Sequence, residues 1–195
     1  HDHCYGNVNL ASDLEDHITA IQQLAKRYPY MDLERVGITG PGGCNAPVYG
    51  LLAYPSFYKV AAAVSIYDIR LTSALDFYQA LPNEEGYNSA ILGNLAGNLT
   101  GKLLLVHGMM DNYFHPAGML QLIEVLIREN KNFDMLMLPN GGHMWRSGYP
   151  LRKAWDYMVQ HLHGVEPPEN FTLKAGVEFA LEKLAENRAE NRANI

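Results

Sequence analysis

Residues 35–45 read Arg-Val-Gly-Ile-Thr-Gly-Pro-Gly-Gly-Cys-Asn. A short apolar run enters a turn made of Gly40, Pro41, Gly42 and Gly43, and helix-forming residues resume at Pro47. A strand that turns this sharply into a helix is the first half of a strand–helix–strand unit. The next strand must then lie parallel to the first, with the helix covering one face of the sheet. The glycines supply the positive φ angles and the close backbone approach that such a turn requires.

The rest of the chain repeats the pattern. Residues 11–28 predict a helix, with Ser12 as N-cap and Glu15 at capping-box spacing. Its apolar positions Leu14, Ile18, Ile21, Leu24 and Ala25 recur at helical intervals, and Pro29 stops it. Strands are predicted at 35–39, 60–65, 103–107 and 134–138, and helices at 47–54, 117–129 and 151–163. The second strand is hydrophobic almost without interruption, as expected where both faces of a parallel sheet are covered. Residues 66–100 read as irregular, and residues 172–195 as a charged amphipathic tail. The expected fold is α/β, a mainly parallel sheet with flanking helices. It occupies residues 1–168, with a helical tail over 169–195. The opening His1-Asp2-His3-Cys4 looks like a cut in mid-domain, so further strands are expected upstream and the fold is read as N-terminally truncated.

Composition narrows the function. The chain has 195 residues, 48% of them hydrophobic, enough for one domain with a sizeable core. A formal net charge of -6 and no basic stripe argue against nucleic acid as a partner. The apolar run Val60–Val64 is far too short for a membrane span. Cys4 and Cys44 are isolated, and the histidines lack ligand spacing, so neither a metal nor a cofactor is implied. His161 and His163 sit at i and i+2, off a common helical face. Asn98-Leu99-Thr100 and Asn170-Phe171-Thr172 match the glycosylation pattern, a frequent chance occurrence. Trp145, Trp155 and the methionines 109, 110, 119, 135 and 137 are read as packing or pocket-lining residues.

Chemistry is suggested by the loops that follow the strands. After the third strand comes Gly108-Met109-Met110-Asp111, and after the fourth comes Pro139-Asn140-Gly141-Gly142-His143. A turn at 40–43, then an acid, then a histidine, each after a successive strand, is the order of an α/β-hydrolase triad. The histidine must take a proton from the nucleophile, and the carboxylate must hold its tautomer and stabilise its charged form. The nucleophile elbow of that fold is G-x-S-x-G, and this chain has Gly42 at the serine's place.

These segments resemble the catalytic domain of the prolyl oligopeptidase family of serine peptidases, on its dipeptidyl peptidase IV branch. The resemblance rests on Arg35–Ile38, Tyr54–Ala61, Leu104–Asp111 with His115, Leu138–Asn140 leading to His143, Trp155–Tyr157 and Gly164–Pro168. It implies proteolysis, with release of N-terminal dipeptides after proline or alanine or cleavage after internal proline. By position it makes Asp111 the triad acid, His143 the base, Gly42 the nucleophile position and Gly43 an oxyanion N–H donor. It further implies a peptide-like ligand or protein partner, a periplasmic or extracellular location, and a homodimer.

The departures cluster at the elbow. The family turn G-x-S-x-G-G stands here as Gly40-Pro41-Gly42-Gly43-Cys44-Asn45, so the serine and both later glycines are replaced. Cys44 and Asn45 are expected to reshape the turn, and Pro41 removes an N–H and restricts φ. Asp111-Asn112-Tyr113 replaces the family's Asp-Asp-Asn, and the pocket tyrosines are poorly matched over Tyr67–Tyr78. Three readings fit: a natural non-catalytic homologue, an active peptidase whose serine was changed by engineering, and a hydrolase or esterase using another nucleophile. Cys44 and Ser147 are the other nucleophiles weighed, and neither has favourable placement.

Overall fold

A computed structural model describes residues 14–41, 45–66, 91–143 and 148–173. Ser12, Gly42, Gly43, Cys44, the stretch 67–90, Ser147 and the tail from 174 lie outside them. The order of elements is α1 (Leu14–Arg27), β1 (Val36–Pro41), α2 (Ala46–Ala53), β2 (Tyr58–Val64), a short 3-10 helix (Leu92–Asn98), β3 (Lys102–Gly108), α3 (Ala117–Arg128), β4 (Asp134–Leu138) and α4 (Tyr149–Met158). A single wide turn, Val159–His163, continues α4. The four predicted strands and the helices predicted over 11–28, 47–54, 117–129 and 151–163 are therefore found, most ends within two residues, while the predicted helical tail falls almost wholly outside the described residues.

The four strands form one sheet in the order β1-β2-β3-β4, every pair parallel. Successive side chains of a strand point to opposite faces, and here each face has its own core. Ala61, Ala63, Leu103 and Leu105 pack with Val48, Leu51 and Leu52 of α2 and with Met119, Leu122 and Leu126 of α3. Val60, Ala62, Leu104 and Val106 pack with Ala154 and Tyr157 of α4. This two-sided burial explains the uninterrupted apolar runs of β2 and β3. Gly37 belongs to the second face. A Cβ there would lie 2.8 Å from Leu162 and 2.9 Å from Met158, so glycine lets the end of α4 settle on β1.

The apolar stripe of α1 is used only in part. Leu14 is buried and Ile18 packs on the core, but Leu24 is 45% exposed. The methionines divide in the same way. Met119 is buried, whereas Met109, Met110 and Met135 are exposed. Met109 and Met110 sit on the turn after β3, and Met135 is on β4, an edge strand among the described residues. Trp155, expected to pack, is half-exposed on α4. No helix among the described residues is long and apolar enough to cross a membrane.

Leu105 lies at the centre of the first core and is fully buried. Leu105→Ala is expected to cost about 2–5 kcal/mol, from lost transfer energy plus the cavity left behind. A urea midpoint unchanged from the parent would contradict this placement of the core.

Candidate active site

The acid and base loops leave the sheet side by side. Gly108 ends β3 beside Leu138, the last residue of β4. Past the strands, Met109 N–H donates to the Leu138 carbonyl and Met110 N–H to the Gly141 carbonyl, both at 2.9 Å. A Cβ on Gly108 would collide with the Gly141 carbonyl and would lie 2.7 Å from the Gly142 oxygen. Glycine at 108 is thus a condition of the loops meeting. Their hydrogen bonds carry the sheet's register into the turn that bears His143.

Asp111 sits where this turn ends, and it is buried. Its two oxygens have separate tasks. Oδ1 accepts the N–H groups of Tyr113 and Phe114, each at 2.9 Å, which closes a tight turn around the carboxylate. Oδ2 faces His143 Nδ1 at 3.0 Å. A carboxylate can only accept, so Nδ1 carries the proton and Nε2 is the nitrogen left for proton exchange. Burial raises the Asp111 pKa. The His143 hydrogen bond and the two backbone N–H groups outweigh it, so the carboxyl lies below its ordinary value and stays ionised. The histidine ring is held from two sides. Phe114 meets it edge-on and Tyr113 at a tilt, both with ring centres 4.8 Å away.

Two features of this site escaped the sequence reading. The first is His107, the last side chain of β3. It is fully buried beneath the acid. Its Nε2 donates to the Phe114 carbonyl at 2.9 Å and lies 3.6 Å from Asp111 Oδ2. Burial outweighs the favourable contacts and holds its pKa below the ordinary histidine value. A histidine closing an apolar strand four residues before an acid was the available signal. The second is the aromatic pair Tyr113 and Phe114, whose contact with His143 no spacing rule discloses.

The structure brings Asp111 and His143 together. Gly42 and Gly43 fall outside the described residues. The elbow is seen from its two flanks, β1 ending at Pro41 and α2 starting at Ala46. Asn45 between them is buried in the left-handed conformation, φ 49° and ψ 6°, and caps α2 through its backbone. Cys44 and Asn45 were expected to reshape the elbow. At Asn45 the backbone is one that glycine adopts freely and asparagine tolerates better than most residues.

The pKa directions fix the acid response. The Asp111 carboxyl is depressed, so its stabilisation is present above the unfolded value of about 3.9 and is lost as pH falls through the folded value. His107 is depressed too, but it is a base. Below about pH 6.5 the unfolded chain takes up a proton that folded His107 refuses, so stability declines until the folded value is reached. Urea midpoints measured from pH 7.5 to 3.5 should fall in two stages. His107→Gln should flatten the first stage relative to the parent, and Asp111→Asn the second. Identical pH slopes in all three proteins would exclude both assignments. Separately, Gly108→Ala should disrupt the loop pairing and lower the urea midpoint, whereas Gly142→Ala should change it little, because a Cβ there meets nothing among the described residues within 4 Å.

The prolyl oligopeptidase family model matches residues 1–165. Human dipeptidyl peptidase 8 is 31% identical over 146 residues, covering 69% of this chain and 16% of that protein. Mouse inactive dipeptidyl peptidase 10 is 29% identical over 138 residues, covering 67% of this chain and 17% of that protein. The structure of Porphyromonas gingivalis dipeptidyl peptidase 4 superposes with a TM-score of 0.61 at 26% identity, covering 69% of this chain and 20% of that one. The chain thus spans about a sixth of the length of the first two relatives. A parallel sheet with two covered faces and a sequence match over most of its length give one conclusion: this chain belongs to the prolyl oligopeptidase family, with an α/β-hydrolase fold of the dipeptidyl peptidase IV type.

Proposed function

We propose that this chain is the catalytic-domain region of a dipeptidyl peptidase IV-like protein that has kept the acid–base half of its triad and lost the nucleophile. Glycine at position 42 carries the reading, because it has no side-chain atom that can attack a carbonyl. In this reading Asp111 holds His143 in its Nδ1–H tautomer, and His143 Nε2 is the nitrogen left to serve the nucleophile position. The N–H of Gly43 is the remaining oxyanion donor. The 3.0 Å contact between His143 and Asp111 supports the first of these roles. A relative whose name calls it inactive, mouse dipeptidyl peptidase 10, fits a non-catalytic branch.

The chemistry bounds what remains. A triad enzyme stripped of its serine keeps roughly 10³–10⁴-fold acceleration over water, from the oxyanion hole and substrate binding. Such a protein does not act as a peptidase on a useful timescale, and its site serves to hold a peptide-like ligand or a protein partner.

The test uses a fluorophosphonate probe with intact-mass readout, beside turnover of an Ala-Pro dipeptide amide, on the protein and on its Gly42→Ser variant. The expected result is no adduct and no turnover in the parent. In the variant the restored Oγ would give its proton to His143 Nε2 and attack the probe's phosphorus, with fluoride leaving as the P–F bond breaks, to form the covalent adduct. Labelling of the parent would identify a different nucleophile and overturn the proposal.

A further inference from the structure

Among the described residues, His107 is the one buried ionisable group beside Asp111 outside the Asp111–His143 pair. It closes β3, in the register that pairs Val106 with Leu136 and His107 with Met137. It is fully buried, and nothing polar among the described residues meets its Nδ1. Its one hydrogen bond among the described residues runs from Nε2 to the carbonyl of Phe114. That carbonyl belongs to a residue with three links to the site. The Phe114 N–H donates to Asp111 Oδ1, its carbonyl accepts from His107, and its ring meets His143 edge-on.

The geometry admits one protonation state. A carbonyl oxygen accepts, so Nε2 carries hydrogen. A second proton on Nδ1 would leave a charged, buried ring with a donor facing no acceptor among the described residues. His107 is therefore a neutral Nε2–H imidazole at neutral pH, a fixed dipole whose positive end lies 3.6 Å from Asp111 Oδ2.

We propose that His107 is a positioning residue for the Asp111–His143 pair, acting by anchoring the carbonyl of Phe114. The peptide units of 113 and 114 must face Asp111 for both of their N–H groups to reach Oδ1. The His107 bond holds the far side of the Phe114 residue. With Oδ1 saturated in this way, Oδ2 is left directed at His143. Without the anchor, the 111–114 turn is free to rotate, and Phe114 withdraws from the His143 ring. The role concerns the order of the acid–base pair and holds whether or not the protein turns over a substrate.

The experiment reads the histidines directly by ¹⁵N–¹H spectroscopy at pH 7.5, with His143→Gln used for assignment. In the unaltered protein, His107 should appear as the neutral Nε2–H tautomer, and His143 Nδ1–H as a slowly exchanging downfield proton. An Nδ1–H tautomer or a charged ring at His107 would overturn the proposal without any variant. Two amide substitutions then test reach. His107→Gln places an N–H donor near the position of Nε2, whereas His107→Asn is one methylene short. The His143 downfield proton should persist in the glutamine variant and be lost, or exchange at least tenfold faster, in the asparagine variant. If the folded fractions of both variants keep that proton, or both lose it, His107 only fills space and the positioning role is wrong. None of these readouts depends on turnover, so they stand apart from the assay of Gly42→Ser.

Discussion

Everything at the candidate site depends on two backbones touching at the end of the sheet. Gly108 and Gly141 approach so closely that no side chain fits between them. This contact lets Met109 donate to the last residue of β4 and Met110 to the loop that follows it. Two loops that are far apart in sequence thereby become one rigid unit. The acid is on one and the histidine on the other, and the 3.0 Å separation of their side chains follows from the backbone pairing. Effective acid–base geometry tolerates errors of only about half an ångström, and ladder-like hydrogen bonds hold loops to that tolerance better than packing of side chains on mobile turns.

Electrostatics builds on that frame. A buried carboxylate is costly unless every lone pair in use has a donor. Asp111 receives two backbone N–H groups on one oxygen and an imidazole on the other. These donors overcome the burial penalty and keep the group ionised. Beneath it, the same burial acts on His107 in the opposite chemical sense and keeps it neutral. One apolar environment thus sets an anion and a neutral base side by side, because only the anion is given enough partners to hold its charge.

The Asp111–His143 pair is therefore built by β3, β4 and the loops that follow them. Asp111, His107, Phe114 and the Gly108–Gly141 contact stabilise one another through the sheet and the 111–114 turn. None of those interactions passes through position 42. On the function proposed above, a lost serine costs this frame nothing, since the frame is built by β3 and β4 while the turn at 40–43 follows β1. Asn45 fits the same view. The left-handed backbone at the start of α2 survives with asparagine in place of glycine, because the short amide side chain tolerates that conformation.

Strand and helix placement and the parallel character of the sheet were legible in the chain, because parallel strands covered on both faces must be continuously apolar and their helices must be amphipathic. That Asp111 and His143 stand on the loops after β3 and β4 was legible too, since a parallel sheet brings the loops that follow adjacent strands to one end. The exposed second half of α1, the exposure of Trp155 and of Met109, Met110 and Met135, and the lapse of α4 into a wide turn were not. They depend on which neighbour lies across each face, and local pattern carries no record of that. His107 shows the divide most clearly. Its sequence position marks it as the end of an apolar strand, and that much is local. That its ring anchors Phe114, and through Phe114 the Asp111 turn, required the chain to double back over itself in three dimensions. Sequence by itself determined the parallel sheet, its two covered faces and the loops that bear Asp111 and His143, because periodicity and spacing are properties of the chain. Only the tertiary structure decided which polar atoms meet within hydrogen-bond distance, because that depends on the register between strands and on where glycine allows backbones to touch.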